Sequence, residues 1–175
     1  MRLFIAIEVP EGIRAKLGAL AHELPDDGLS KVKPGNMHFT LKFLGEVEKA
    51  KVAEIKKILH MVGFSPFSVR MKGVGGFPNE SYARVIWAGA ECEEMEELAR
   101  KIHTVLVDLF EGDDFSAHLT LARVKKRMNF RDFLKKHKGE EFGEFKADRF
   151  ALFESRLLPE GPEYRKLVEF AAKPG

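Results

Sequence analysis

Two short stretches of the chain carry the same chemistry in the same order, His38-Phe39-Thr40-Leu41 and His118-Leu119-Thr120-Leu121, separated by 118 − 38 = 80 residues. On an extended strand, residues two apart share a face and lie about 7 Å from each other, so each stretch presents an imidazole beside a hydroxyl. Two imidazoles with unperturbed pKa near 6.5 can divide the roles of base and acid near neutral pH. A displacement at phosphorus uses such a pair: one ring takes the proton from the incoming oxygen and the other supplies one to the leaving oxygen. The hydroxyls of Thr40 and Thr120 are placed to donate to the non-bridging oxygens as their charge grows.

The six histidines and three threonines of this 175-residue chain, placed at random, would give roughly 0.1 His-x-Thr triplets, and two occur at equivalent places in a repeated unit. A single copy reads as an ordinary half-buried strand histidine next to a residue of high β-propensity. The doubled copy does not. A metal centre would need a third ligand, and no His, Cys or carboxylate stands at ligand spacing beside either motif, so no metal and no cofactor is expected. His22, His60, His103 and His137 fall in helical patterns with no polar partner repeated in the other half, and read as surface or edge residues.

The elements that must position the motifs follow from folding the chain onto the offset of 80. Each half reads strand, helix, motif strand, helix, strand. The first unit, about 1–78, predicts strand Leu3–Val9, helix Glu11–Leu24, strand Met37–Leu44, helix Lys49–Val62 and strand Phe67–Gly73. The second, about 79–175, predicts strand Ala83–Ala90, helix Glu93–Phe110, strand Ala117–Val124, helix Phe130–His137 and strand Phe145–Glu154, with an added strand near Tyr164–Phe170. The helices carry apolar stripes at i, i+3, i+4 spacing, for example Val52, Ile55, Leu59 and Val62. The alternation of strands and helices leaves a parallel doubly wound sheet open, yet no glycine-rich phosphate turn follows any strand. The GVGG at Gly73–Gly76 precedes a turn and reads as a flexible connection.

Composition sets the frame. With 45% apolar and 32% charged residues and a formal charge of only +2, the chain reads as one globular domain of two lobes, and no apolar run is long enough for a membrane span. The lone Cys92 cannot form an internal disulfide and fits a reducing cytoplasm. Glutamine is absent while Lys and Glu are abundant, a balance associated with life at high temperature.

The chain resembles the two-histidine phosphoesterase superfamily, in particular its RNA 2′,3′-cyclic phosphodiesterase branch, also called 2′-5′ RNA ligase. The resemblance runs nearly end to end, through MRLFIAIEVP, KPGNMHFTLKFLGEV, GGFPNESYARVIWAG, AHLTLARV and FESRLLPEGPEYRKL. It departs mildly at Ala117, where the pattern often has proline before the second histidine. It implies a bilobal, LigT-like α+β fold, a pseudo-two-fold duplication of a β-α-β-α-β unit in which two antiparallel-rich sheets face a central cleft with helices outside. That architecture displaces the parallel-sheet option. It further implies a metal-independent opening of a terminal 2′,3′-cyclic phosphate on RNA, with 2′-5′ joining as a related reaction. The expected partners are RNA ends, tRNA fragments among them, met by a cytoplasmic monomer. Rival readings are an enzyme of the same superfamily acting on 2′-5′ oligonucleotides or small cyclic nucleotides, and an RNA-binding module without turnover.

Candidate substrate-binding residues are Lys42, Phe43 and Arg123. Strict alternation puts Lys42 on the face of His38 and Thr40, where an ammonium can hold phosphate. Phe43 and Arg123 each lie five residues after a motif histidine, an aromatic ring and a guanidinium plane able to sandwich a base. Parity puts both on the opposite face unless the strand twists or bulges before them. From Arg123 to Lys138 eight Lys or Arg residues accompany one acid, Asp132; the run is either a solvated face or a guide for an RNA backbone. Ser155, Arg156 and Tyr164 belong to the resembling tail and fit either a site or a closing strand pair.

Overall fold

The computed structural model describes residues 1–112 and 115–173. In chain order the elements are β1 (Arg2–Glu8), α1 (Glu11–Ala21), β2 (Leu29–Lys31), β3 (His38–Glu46), α2 (Val52–His60), β4 (Phe67–Phe77), β5 (Val85–Glu91), α3 (Glu93–Leu106), β6 (His118–Val124), α4 (Arg131–Lys136), β7 (Glu141–Ala147), β8 (Arg149–Leu158) and β9 (Gly161–Ala171). Helix α3 shows why such segments fold as they do. Glu93, Glu94 and Glu96 in its first turn suit the positive end of the helix dipole, and Met95, Leu98, Ile102 and Leu106 form its buried stripe.

The strands form two sheets, ordered β3-β1-β8-β9 and β2-β6-β5-β4-β7, and every pairing within them is antiparallel. The expected α+β architecture is therefore the one found. Helix α3 lies against β3 and α2, α1 against β6 and β7, α2 also against β9, and α4 against β4. Ile5, Ile7, Phe39 and Leu41 of one sheet, and Ile86, Leu119 and Leu121 of the other, enter a single apolar cluster with the helix stripes. Burying each such side chain contributes about 1.5–3 kcal/mol before entropy is charged against it. None of the helices among the described residues is long and apolar enough to cross a membrane.

Three local expectations are corrected. The single strand expected over Phe145–Glu154 is two strands in different sheets: β7 ends at Ala147 against Phe67, and β8 begins at Arg149 against Ala171. Only Asp148 separates them, too short an interruption for alternation to reveal. The GVGG segment is not a connection but part of β4, where Gly75 and Gly76 pair with Trp87 and Ile86. Strand β2, three residues long, was not expected; it is held through pairing with β6 rather than by its own pattern.

The sheets do not coincide with the sequence repeats. The third strand of the first unit, β4, pairs with β5 of the second, while β8 of the second unit pairs with β1 of the first. Each sheet is thus completed by two strands from the other half, β8 and β9 in one and β2 and β4 in the other. Residues 1–78 expressed alone are expected to show no cooperative thermal transition by circular dichroism, and to regain one when mixed with 79–175. An independent, cooperative melt of either half would contradict this exchange.

Candidate active site

In β3 the pairing with β1 runs His38 to Glu8, Phe39 to Ile7 and Thr40 to Ala6, then skips Leu41, so that Lys42 meets Ile5 and Phe43 meets Phe4. Directly paired residues of neighbouring strands share a face. Leu41 is therefore the extra residue of a β-bulge, and the alternation reverses behind it. His38 and Thr40 lie with Ala6 on the cleft face, and Phe43 rejoins them there beside Phe4, with 69% of its surface exposed. The condition that parity imposed on Phe43 is met.

Strand β6 repeats the device. His118 pairs with Gly89 and Thr120 with Trp87, Leu121 is skipped, and Ala122 and Arg123 meet Ile86 and Val85. The bulges sit at Leu41 and Leu121, again 121 − 41 = 80 residues apart. Arg123 is thereby returned to the face of His118 and Thr120. Strands β3 and β6 approach one another, and the charges of Arg123 and Arg2 both reach the Tyr164 phenol on β9, although burial outweighs them and raises its pKa. The site therefore faces two rows, His38-Thr40-Phe43 and His118-Thr120-Arg123, across one cleft. Neither threonine hydroxyl has a protein hydrogen-bond partner among the described residues.

Each imidazole is fixed by one ring nitrogen and one aromatic face. His38 Nδ1–H donates to the Asn36 carbonyl at 2.6 Å, which leaves Nε2 as the variable nitrogen. Its ring stacks on Phe4 with centroids 4.9 Å apart and meets the edge of Tyr164 at 5.1 Å. Burial lowers its pKa, and the Asn36 carbonyl and the Glu8 carboxylate oppose that by favouring the imidazolium. Glu8 is itself held by Lys166 Nζ at 2.5 Å.

His118 Nδ1 lies 2.8 Å from Ser116 Oγ, a hydroxyl able to donate or accept. Its ring lies flat on Trp87, centroids 3.7 Å apart and planes 5° off parallel. Burial lowers its pKa, with no charged neighbour opposing the shift. Trp87 lies flat because β4 offers it a glycine: a Cβ at Gly75 would overlap the six-membered ring of the indole, and one at Gly89 would sit 3.2 Å from its Cζ3. A glycine inside a strand often marks such a close approach.

The expectation for Lys42 is corrected. The bulge turns it to the face opposite His38, where it is 7% exposed and reaches His103 Nδ1 at 3.3 Å and the Gly112 carbonyl. Interior placement of an ammonium is tolerable only with such partners. His137 is likewise not a surface residue; it is 4% exposed, with Nε2 3.1 Å from Glu23 and Nδ1 3.3 Å from Glu140. Sequence reasoning missed the supports, namely Phe4, Trp87, Ser116 and the Asn36 carbonyl. Of these, the one tryptophan beside a glycine-rich strand carried a usable signal. Tyr164 proves to face the cleft, whereas the Arg156 guanidinium turns to Glu154 at 3.4 Å.

Two antiparallel sheets facing across a cleft, each presenting a His-x-Thr row, define a two-histidine phosphoesterase. The family described as LigT like Phosphoesterase matches residues 7–87 and 90–164, and the chain belongs to it. It is 43% identical to the RNA 2′,3′-cyclic phosphodiesterase of Archaeoglobus fulgidus, over 97% of this chain and 99% of that one. With the Methanocaldococcus jannaschii protein of the same name it shares 36% identity over 97% and 100%. Among solved structures it resembles TT0787 of Thermus thermophilus, at TM-score 0.86 and 34% identity over 99% of both chains. Escherichia coli LigT complexed with 3′-AMP, at TM-score 0.83 and 22% identity over 98% and 97%, shares the fold.

The sole tryptophan offers a direct reading of its histidine, because an imidazolium in van der Waals contact quenches indole emission. Fluorescence should fall on acidification with a midpoint below 6.5, and the transition should vanish in His118→Asn. A midpoint above 6.5 would mean that the attraction of the indole face for a cation outweighs burial. In Gly75→Ala, folded by circular dichroism, the indole is displaced and the titration should weaken.

Proposed function

We propose that this protein is an RNA 2′,3′-cyclic phosphodiesterase that opens a terminal 2′,3′-cyclic phosphate to a 2′-phosphate by acid–base catalysis with two histidines and no metal. The observation that carries this reading is the pair of imidazoles, each anchored through Nδ1 and stacked on an aromatic ring, in equivalent rows of one cleft. The names of the relatives support the choice of substrate.

In this mechanism water attacks phosphorus in line with the bond to the 3′ oxygen. His118 takes the proton of the water and His38 gives one to the departing 3′ oxygen, so that the new P–O bond forms as the old one breaks and a 3′-hydroxyl is left. The assignment rests on their surroundings. Only His38 has neighbours, the Asn36 carbonyl and Glu8, that favour its protonated form. Thr40 and Thr120 donate to the non-bridging oxygens. Phe43 and Arg123 bracket the terminal base. Run in the same direction, with a 5′-hydroxyl in place of water, the steps give 2′-5′ joining: His118 takes the proton of the 5′-hydroxyl, its oxygen bonds to phosphorus, and His38 protonates the departing 3′ oxygen. We place this activity in the cytoplasm, with a monomer acting on RNA ends that include tRNA fragments.

His38→Ala and His118→Ala should each reduce turnover by roughly 10²–10⁴ with the fold intact, and EDTA should leave the wild type unaffected. End-group analysis of the product tests the direction of opening; a 3′-phosphate, or activity restored by zinc or manganese after chelation, would reject the mechanism.

The pH dependence carries a sign. Both histidine pKa values are lowered from 6.5 in the free protein, so the singly protonated pair is most populated on the acid side of that value, and kcat/KM should peak there. A bound phosphodiester anion favours the imidazolium, so the optimum in kcat should lie at higher pH than that in kcat/KM. Coincident optima at or above pH 7 would contradict the burial of the two rings.

Phe43→Ala and Arg123→Ala should raise KM for RNA ends more than they weaken inhibition by inorganic phosphate. Equal effects on both would place these residues on the phosphate instead of the base.

A further inference from the structure

We propose that the RNA strand leading to the reacting end leaves the cleft over one end of the β2-β6-β5-β4-β7 sheet, on a track of exposed aromatic rings and cations that begins at Phe77 and Arg123 and continues onto Tyr82, Arg84, Lys125 and Arg127. This rests on the reading of the cleft as an RNA-end site and extends it to the nucleotides beyond the end.

The register supplies the geometry. Phe77 of β4 pairs with Val85 of β5, and Val85 pairs with Arg123 of β6. These three therefore form one row across the sheet, on the face of Trp87, Thr120 and His118. Phe77 is 66% exposed in this row, a large ring left uncovered at the mouth of a polar cleft. A ring so placed gives no folding energy that burial would give, and offers a surface on which a base can stack.

The row leads to a shallow concavity of about 180 Å³. It is built where the chain enters β5 through Tyr82 and Arg84 and leaves β6 through Lys125, Lys126 and Arg127. The two segments are tied together, since Val124 N–H donates to the Arg84 carbonyl at 2.8 Å and Arg84 N–H to that of Phe77 at 2.6 Å. Tyr82 N–H donates to Asn79 Oδ1 at 2.8 Å, which fixes the turn bearing the phenol, and the Arg127 guanidinium lies 4.9 Å over the Tyr82 ring.

The charges divide in a way the sequence did not show. In the basic run, Lys126 pairs with Asp27 at 2.5 Å and Lys136 with Glu23 at 2.8 Å. By contrast, Arg84, Arg123, Lys125 and Arg127 have no ion-pair partner among the described residues. The sole acid in the segment 78–84 is Glu80. Among the described residues, Lys126 is the one neutralised cation lining the concavity, and Arg84, Lys125 and Arg127 beside it keep charges that phosphate can meet. Cations alternating with aromatic rings along a groove suit single-stranded RNA, whose phosphates and bases are both within reach. A duplex hides its base faces and would leave Phe77 and Tyr82 without partners.

The test compares one substrate too short to reach the track with one that occupies it. The probes are 2′,3′-cyclic AMP and an eight-nucleotide single strand ending in a 2′,3′-cyclic phosphate, with binding read by fluorescence anisotropy on the same octamer ending in a 3′-phosphate. Wild-type affinity for the octamer should fall with salt, and the double variant Arg84→Glu, Arg127→Glu should flatten the slope of log K against log salt by about 1–1.5. Phe77→Ala should weaken the octamer roughly 5- to 100-fold, the range of one lost base stack. Both variants should turn over the cyclic mononucleotide within about twofold of wild type.

Unchanged octamer binding, equal losses on both substrates, or a blunt duplex bound as tightly as the single strand would each overturn the track. If the wild type hydrolyses neither substrate, the proposed activity fails, while the anisotropy comparison still decides the track by itself.

Discussion

One extra residue between the second and third members of each motif row sets what faces the cleft. Strand geometry alternates strictly, so a row of three functional side chains at i, i+2 and i+5 is impossible without an interruption. Leu41 and Leu121 supply it while staying buried, which places the interruption in the core and keeps the polar row continuous. The same event has opposite consequences for the residue behind each bulge. Ala122 enters the core at no cost, whereas Lys42 carries its charge inward and is met by His103 and Gly112. The two halves are alike in the chemistry they present and unlike in what they bury.

The supports of the two imidazoles differ in a similar manner. His38 sits among Phe4, Phe153 and Tyr164, with a fixed carbonyl and a carboxylate nearby. His118 has one broad indole and a rotatable hydroxyl. An acid and a base made from the same side chain need unlike surroundings, because identical ones would leave both rings with the same proton affinity. Stacking on an aromatic face supplies orientation without fixing the charge state.

Much of this was legible in the sequence because it is local or repeated. The His-x-Thr pairs, their offset and the apolar stripes of α2 and α3 are short-range patterns, and the structure keeps them. The face of Lys42 was misjudged because a bulge leaves no mark in alternation: Leu41 and Lys42 read as ordinary strand residues until their partners on β1 are known. Asp148 hides a change of sheet for the same reason. The seat of Trp87 lay within reach, since glycines at 75 and 89 and a lone tryptophan at 87 suggest a ring lying flat across a strand, but their adjacency depends on a pairing between β4 and β5 that periodicity does not specify. His137 was misread because its partner Glu23 is distant in the chain.

The exchange of third strands has a mechanical consequence. Writing A for the sheet containing β1 and B for the sheet containing β2, strands β1 to β9 run A, B, A, B, B, B, B, A, A, so the chain passes between sheets four times, once through Asp148 alone. A hinge closes by flexing one or two connections, whereas here all four crossings would have to yield together. The cleft is braced rather than hinged. Its two walls are held at a set separation, and a substrate must be recognised by the shape that folding has already given them.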